Sequence, residues 1–189
     1  MTTSDDLPAS LTVPYLVGKA GSYKDEAATA VVEDPKEGRA KNWLWVHDRY
    51  RTQATAFLDL KEDPSKQMAA FAKFHKKLES HSEFEDTQLF KFFVDAKIGN
   101  QDTLEELQKQ HGNIRLVSEI TEGLDKMVAG SASDEEKAAT QEKLEAYVKD
   151  LMAHLDLEEK TITGPWMQLT PEQYKTYRSY LSWMYWFMY

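Results

Sequence analysis

His81-Ser82-Glu83-Phe84-Glu85-Asp86 and His154-Leu155-Asp156-Leu157-Glu158-Glu159 are two copies of one phrase: a histidine, a glutamate four positions on, and a second acid directly after it. Both lie in stretches with helical periodicity. Side chains four apart on a helix share a face, one turn above each other. Each phrase therefore aims an imidazole and a carboxylate at the same place. Those are the donors that bind iron, manganese or zinc where no cysteine is present. A lone histidine stands on the helix before each phrase, His47 for the first and His111 for the second. Four histidines and two glutamates drawn from four helices point to a two-metal site at the centre of a bundle.

The apolar residues around these positions recur with the period of a bundle seam. The first segment, about 36–61, opens at Asp34-Pro35, a cap followed by a first-turn proline. Its stripe is Trp43, Val46, Tyr50, Phe57 and Leu58, with His47 inside it. The second runs from Asp63-Pro64 to near Gly99 and carries Phe71, Phe74, Leu78, His81, Glu85 and Phe92. The third, from near Asp102 to before Gly130, carries Leu104, Leu107, His111, Ile114, Val117 and Leu124. The fourth opens at Ser133, with Glu136 completing a capping box, and carries Leu144, Tyr147, Leu151, His154 and Glu158. It is expected to stop before Gly164-Pro165. Short connections make consecutive helices antiparallel neighbours. The expected fold is therefore all-α: an up-down-up-down four-helix bundle over residues 37–164.

Residues 1–36 read as an N-terminal arm that wraps the bundle. Leu11–Val17 is apolar but broken by Pro14, so it is extended or a short edge strand, and Tyr23–Val32 reads as a short helix. Thr170-Pro171-Glu172-Gln173 opens a fifth helix, which makes residues 165–189 an aromatic C-terminal helix docked on the bundle. Its end, Tyr180 to Tyr189, is too apolar to hang in water. It reads first as docked, then as a lid beside the metals, then as a homodimer or membrane-surface contact, which the missing basic residues disfavour.

At 189 residues, 41% hydrophobic and 29% charged, the chain is one domain with arms and can bury a sizeable core. A net charge of −9 argues against nucleic acid and anionic membranes as partners. The absence of cysteine excludes disulfides, thiolate zinc sites, iron–sulfur clusters and thiol catalysis. Met1–Pro8 is polar and acidic with no apolar signal core, and no apolar run nears the roughly 20 residues of a membrane span. A cytoplasmic protein is expected.

His47, His81, Glu85, His111, His154 and Glu158 all fall on stripes that are otherwise apolar. Any one of these histidines alone reads as a satisfied core residue. As a set they ask for something positive between them, because an unpaired buried carboxylate costs several kcal/mol. A divalent metal pair is the simplest answer, with both carboxylates bridging and two imidazoles on each ion. The fifth histidine, His75, has Glu79 four positions on but lies six before His81, about 120° off the seam. It reads as a flank residue. Asp86 and Glu159 read as solvated helix-end acids or as acceptors that orient an imidazole.

On His47, His81 with Glu85, His111, and His154 with Glu158, the chain from about 40 to 162 resembles the hemerythrin-like (HHE cation-binding) family. The resemblance implies a four-helix bundle around a non-haem di-iron centre that meets O2 or related small oxidants. It also implies those six positions as iron ligands. Oxygen-carrying hemerythrins have a second histidine where this chain has Arg115, and a His-x-x-x-x-Asp where it has His154-x-x-x-Glu158. The four-histidine, two-glutamate pattern looks more like bacterial members that repair damaged iron centres, without their N-terminal cysteine segment. Arg115, one turn after His111, reads as a salt-bridge partner of Asp86 or Glu159, or as a contact to an anionic substrate or a peroxide.

What the resemblance implies for chemistry is two iron ions, with manganese or zinc behind them. Two imidazoles and two glutamate oxygens per ion leave open positions. The expected function is an O2-activating oxidase or oxygenase acting on a small organic substrate. The alternatives are a carrier, sensor or store for O2, nitric oxide or iron without turnover, and an interaction module holding zinc or no metal.

Overall fold

The helices start where side chains satisfy their first free N–H groups. Asp63 accepts from the Lys66 N–H at 3.1 Å, with Pro64 in the first turn. Ser133 and Glu136 form the reciprocal box: the Ser133 hydroxyl accepts from the Glu136 N–H at 3.2 Å and the Glu136 carboxylate from the Ser133 N–H at 2.9 Å. Thr170 and Gln173 repeat that pattern. Asn100 caps the helix that starts at Gln101 by accepting from the Thr103 N–H at 3.3 Å.

The computed structural model describes residues 35–112 and 114–180, apart from the side chains of residues 35, 114 and 115. Among them every regular element is helical: α1 (Pro35–Leu58), α2 (Pro64–Phe84), a π-helical turn (Glu85–Leu89), α3 (Phe90–Asp95), α4 (Gln101–His111), α5 (Ile114–Val128), α6 (Asp134–Met167) and α7 (Pro171–Tyr180). None is long and apolar enough to cross a membrane. α2, the π turn and α3 make one continuous rod. Four packings close a ring: α1 on α2, α2 on α5, α5 on α6, and α6 on α1. α4 packs on α3 and α6, and α7 on the π turn.

Two apolar clusters fill the ring. One gathers Phe57, Phe71, Phe74, Ile120, Leu124 and Leu144. The other gathers Phe90, Phe92, Phe93, Leu107, Trp166 and Tyr177. On α1, α2 and α6 the helix passes from one cluster to the other near His47, His81 and Glu158 respectively. The fold thus leaves one polar layer between two oily ones.

Three helix ends differ from expectation. The third segment breaks: α4 ends at His111, Gly112 caps it with its N–H on the Lys109 carbonyl at 3.2 Å, and α5 restarts at Ile114. Glycine is the weakest helix former after proline, and here it outweighs the apolar stripe that runs across the break. The second segment ends at Asp95 rather than near Gly99, where Lys97 (φ 54°) and Gly99 (φ 75°) turn left-handed. The fourth does not stop before Gly164-Pro165 but runs through to Met167. An interior proline costs about 3 kcal/mol. Burial of Ile162 and Trp166 offsets that, a buried tryptophan alone being worth about 3–5 kcal/mol. The Trp166 indole N–H also donates to the Lys36 carbonyl at 2.8 Å.

α7 packs on the bundle through Tyr177, which is buried between Phe92 and Trp166 at ring separations of 5.3 and 4.8 Å. The expectations for the arm (residues 1–34), the tail (181–189) and the Arg115 side chain lie outside the described residues.

Gly123 sets how closely α5 approaches α6. A Cβ there would overlap the buried Thr140 hydroxyl and stand 2.9 Å from its methyl and 3.1 Å from its Cβ. Alanine normally gains about 1 kcal/mol over glycine in a helix. Gly123→Ala should instead lose about 1–3 kcal/mol in denaturant unfolding, as overpacked cores do. Thr140→Ala in the same chain should recover part of that loss. A stabilised Gly123→Ala would show that the two helices have room.

Candidate metal centre

The helical spacing of each phrase does what it predicts. His81 Nε2 lies 2.9 Å from Glu85 Oε1, one turn along α2. His154 Nε2 lies 3.6 Å from Glu158 Oε2 on α6. His47 comes in from α1 and His111 from the end of α4. Two trios result, His47–His81–Glu85 and His111–His154–Glu158, each with donor atoms close enough to hold one ion.

Within each trio the imidazoles face each other through Nε2, at 3.1 Å for His47–His81 and 3.0 Å for His111–His154. Two nitrogens about 2.1 Å from one ion, at right angles, sit about 3.0 Å apart. The carboxylates connect the trios. Glu85 puts Oε1 on His81 and Oε2 3.7 Å from His111. Glu158 Oε2 lies 3.7 Å from His47 as well as beside His154.

The outer nitrogens fix the inner ones. His47 Nδ1 lies 2.9 Å from Glu159, His111 Nδ1 3.0 Å from Asp86, and His154 Nδ1 2.9 Å from the Gln110 amide oxygen. The Gln110 amide nitrogen is committed to Glu106, which orients its oxygen to His154. Each Nδ1 therefore donates outward, and a neutral ring then keeps its lone pair on the inward Nε2. For His111 and His154 that sets two lone pairs 3.0 Å apart. Only a proton or a cation between them makes this contact favourable.

The carboxylates carry the same message. Glu158 is fully buried, and neither of its oxygens has a hydrogen-bond donor. Burial and the neighbouring charge of Glu85 hold its carboxyl well above the usual range. Burial would also raise Glu85, but the imidazoles of His81 and His47 outweigh it and hold Glu85 well below the usual range. The Trp43 indole N–H donates to Glu85 at 2.8 Å. Burial opposes a charge on His47, yet the hydrogen bonds it donates to the carboxylates of Glu159 and Glu85 outweigh that and raise its pKa. Burial, then His111, pushes His154 down to about 4. Without metal, the surroundings thus favour the protonated forms of Glu158 and His47 over what free side chains would show.

All six residues read from the sequence meet in one cluster. His75 lies elsewhere, stacked on Phe71 and bonded to the Tyr147 hydroxyl at 3.2 Å. Asp86 and Glu159 orient imidazoles rather than closing helix ends in water. Glu159 is held by Arg51, at 2.8 Å, which also grips Asp156 at 2.8 Å. Trp43, Arg51 and Gln110 were not foreseen as site residues. Trp43 and Arg51 stand four before and four after His47, so the spacing that links His81 to Glu85 was there to find them.

Both protonated groups must release their protons to bind metal, so affinity should rise with pH. Zn2+ binding should strengthen as pH rises, by up to about tenfold per proton per pH unit, until both groups have lost their protons. Calorimetry in buffers of different ionisation heat should count the released protons; pH-independent affinity would refute the assignment. Glu159→Ala should weaken metal binding about 10–100-fold by freeing His47. Asp156→Ala, on the exposed side of the same arginine, should change it far less.

No curated protein and no solved structure matches the chain significantly. The model of the hemerythrin HHE cation binding domain matches residues 41–164. With its histidine and glutamate trios gathered inside a ring of helices, the chain belongs to the hemerythrin HHE cation-binding family.

Proposed function

We propose that His47, His81, Glu85, His111, His154 and Glu158 hold two iron ions, and that the protein uses them to activate O2 as an oxidase or oxygenase on a small organic substrate. The observation that carries the reading is Glu158: a fully buried carboxylate with no hydrogen-bond donor, between imidazoles of both trios. A cation shared with Glu85 gives it a partner. Manganese and zinc fit the same donors, and the family favours iron. When bound, two ferrous ions supply two electrons to O2.

The chain's own part in that chemistry is positional. Glu85 and Glu158 neutralise the ions and span both trios. Glu159, Asp86 and Gln110 lock three imidazoles in the tautomer that faces inward. Trp43 fixes Glu85 in place, and Tyr50 packs 5.0 Å from His81, ring to ring. The closed ring of neighbouring helices supports the up-down-up-down order, and the cytoplasm is the setting that the sequence favours.

A second reading has its own support. His47, His81, Glu85 and Glu158 are each 2% exposed or less, which admits only small molecules to that part of the centre. That suits a carrier, sensor or store for O2, nitric oxide or iron without turnover.

Anaerobic loading with ferrous iron followed by O2 separates the readings. An oxidase should consume O2 repeatedly while an organic reductant is oxidised. A carrier should show an optical band that fades on degassing, with the O2 recovered. Failure to take up two irons would sink both. Glu158→Gln should lose iron while its metal-free form melts no lower than wild type, since a buried acid has been removed. Stabilisation by metal, about 2.7 kcal/mol at a hundredfold excess over Kd, should go with it.

A further inference from the structure

In a chain with 32 acidic residues against 23 lysines and arginines, the groove between α1 and α2 is lined by Arg49, Lys73, Lys76 and Lys77 and, among the described residues, by no acid. Two helix faces build it. Trp45, Arg49 and Gln53 recur every four residues along α1; Lys73, Lys77 and Ser80 follow one face of α2. Elsewhere lysines have nearby acids, as in Lys41–Glu37 and Lys137–Asp134, each at 2.8 Å. None of the four groove cations has an ion pair among the described residues. Like charges one turn apart repel, and nothing in the groove offsets this.

The remaining surface is aromatic. The Arg49 guanidinium lies 4.7 Å over the Trp45 ring. Buried Tyr50 forms part of the wall, and the groove reaches His81 of the first trio. Its volume of about 470 Å³ lies within the range of small-molecule sites.

We propose that this groove binds a small organic carboxylate with a planar apolar body. The carboxylate sits among the three lysines and Arg49, and the body lies on Trp45 and Tyr50 with its far end at His81. This names a substrate class for the function proposed above and rests on that reading only for turnover; binding itself needs no O2 chemistry. A net charge of −9 opposes anionic membranes and nucleic acid as the occupant, while a small anion meets mainly the local field.

The test uses the full chain loaded with zinc, so that oxygen chemistry is absent. Calorimetry compares 3-phenylpropionate with 3-phenylpropan-1-ol, which has the same body and no charge. The acid should bind about tenfold more tightly than the alcohol, and more weakly as salt rises. Lys76→Glu with Lys77→Glu should weaken the acid about tenfold or more, leaving alcohol binding, metal content and melting temperature unchanged. Equal affinity for acid and alcohol, or undiminished acid binding in the double variant, would overturn the proposal. So would phosphatidylglycerol vesicles binding through these lysines while 3-phenylpropionate does not. Iron uptake and O2 consumption are measured separately, so this failure leaves the proposed function standing.

Discussion

A carboxylate buried without a donor is the constraint on which the rest of this structure depends. Glu158 lies inside the ring, beside a second carboxylate, Glu85, and among the imidazoles of His47, His111 and His154. Either it keeps a proton or a cation sits beside it. The surrounding architecture favours the cation. The orienting hydrogen bonds cross between elements: Glu159 of α6 to His47 of α1, Asp86 of the π turn to His111 of α4, and Gln110 of α4 to His154 of α6. The bonds that aim the imidazoles also tie the helices together. Metal binding and bundle closure are therefore linked, each favouring the geometry that the other needs.

How much of this was legible in the sequence follows from the range of each interaction. His81 with Glu85, and His154 with Glu158, were legible because four residues make one turn and both donors share a helix. The caps at Asp63 and Ser133 were legible for the same reason. Arg51 was not, although it stands one turn after His47, because its partner Glu159 is 108 residues away. The helix running through Pro165 was not, because the burial of Trp166 that offsets the proline is a tertiary event. The break at Gly112 was misread in the other direction: the apolar stripe continues from Leu107 to Val117, and periodicity hides a change of axis. The π turn at Glu85–Leu89 leaves no mark in a pattern read at 3.6 residues per turn, yet it opens on Glu85 of the first trio, and such turns favour functional sites.

The two trios are alike in composition and unlike in setting. The His47 and His81 side chains are 0% and 2% exposed. Those of His111 and His154 are 7% and 11% exposed, beside the helix break at Gly112. His47 answers to a carboxylate held by an arginine, whereas His154 answers to a neutral amide, a weaker acceptor. A more basic imidazole donates more strongly to a metal, and a drier site holds charge less readily unless it is balanced. Two ions bound here would therefore differ in affinity and in access. The trio of His111 and His154 is the side open to a small molecule from solvent. The trio of His47 and His81 is the tighter one, and His81 alone among its members borders the basic groove. An organic anion in that groove would sit one imidazole away from the metals. Its charge would be felt there through His81 before any bond to an ion formed.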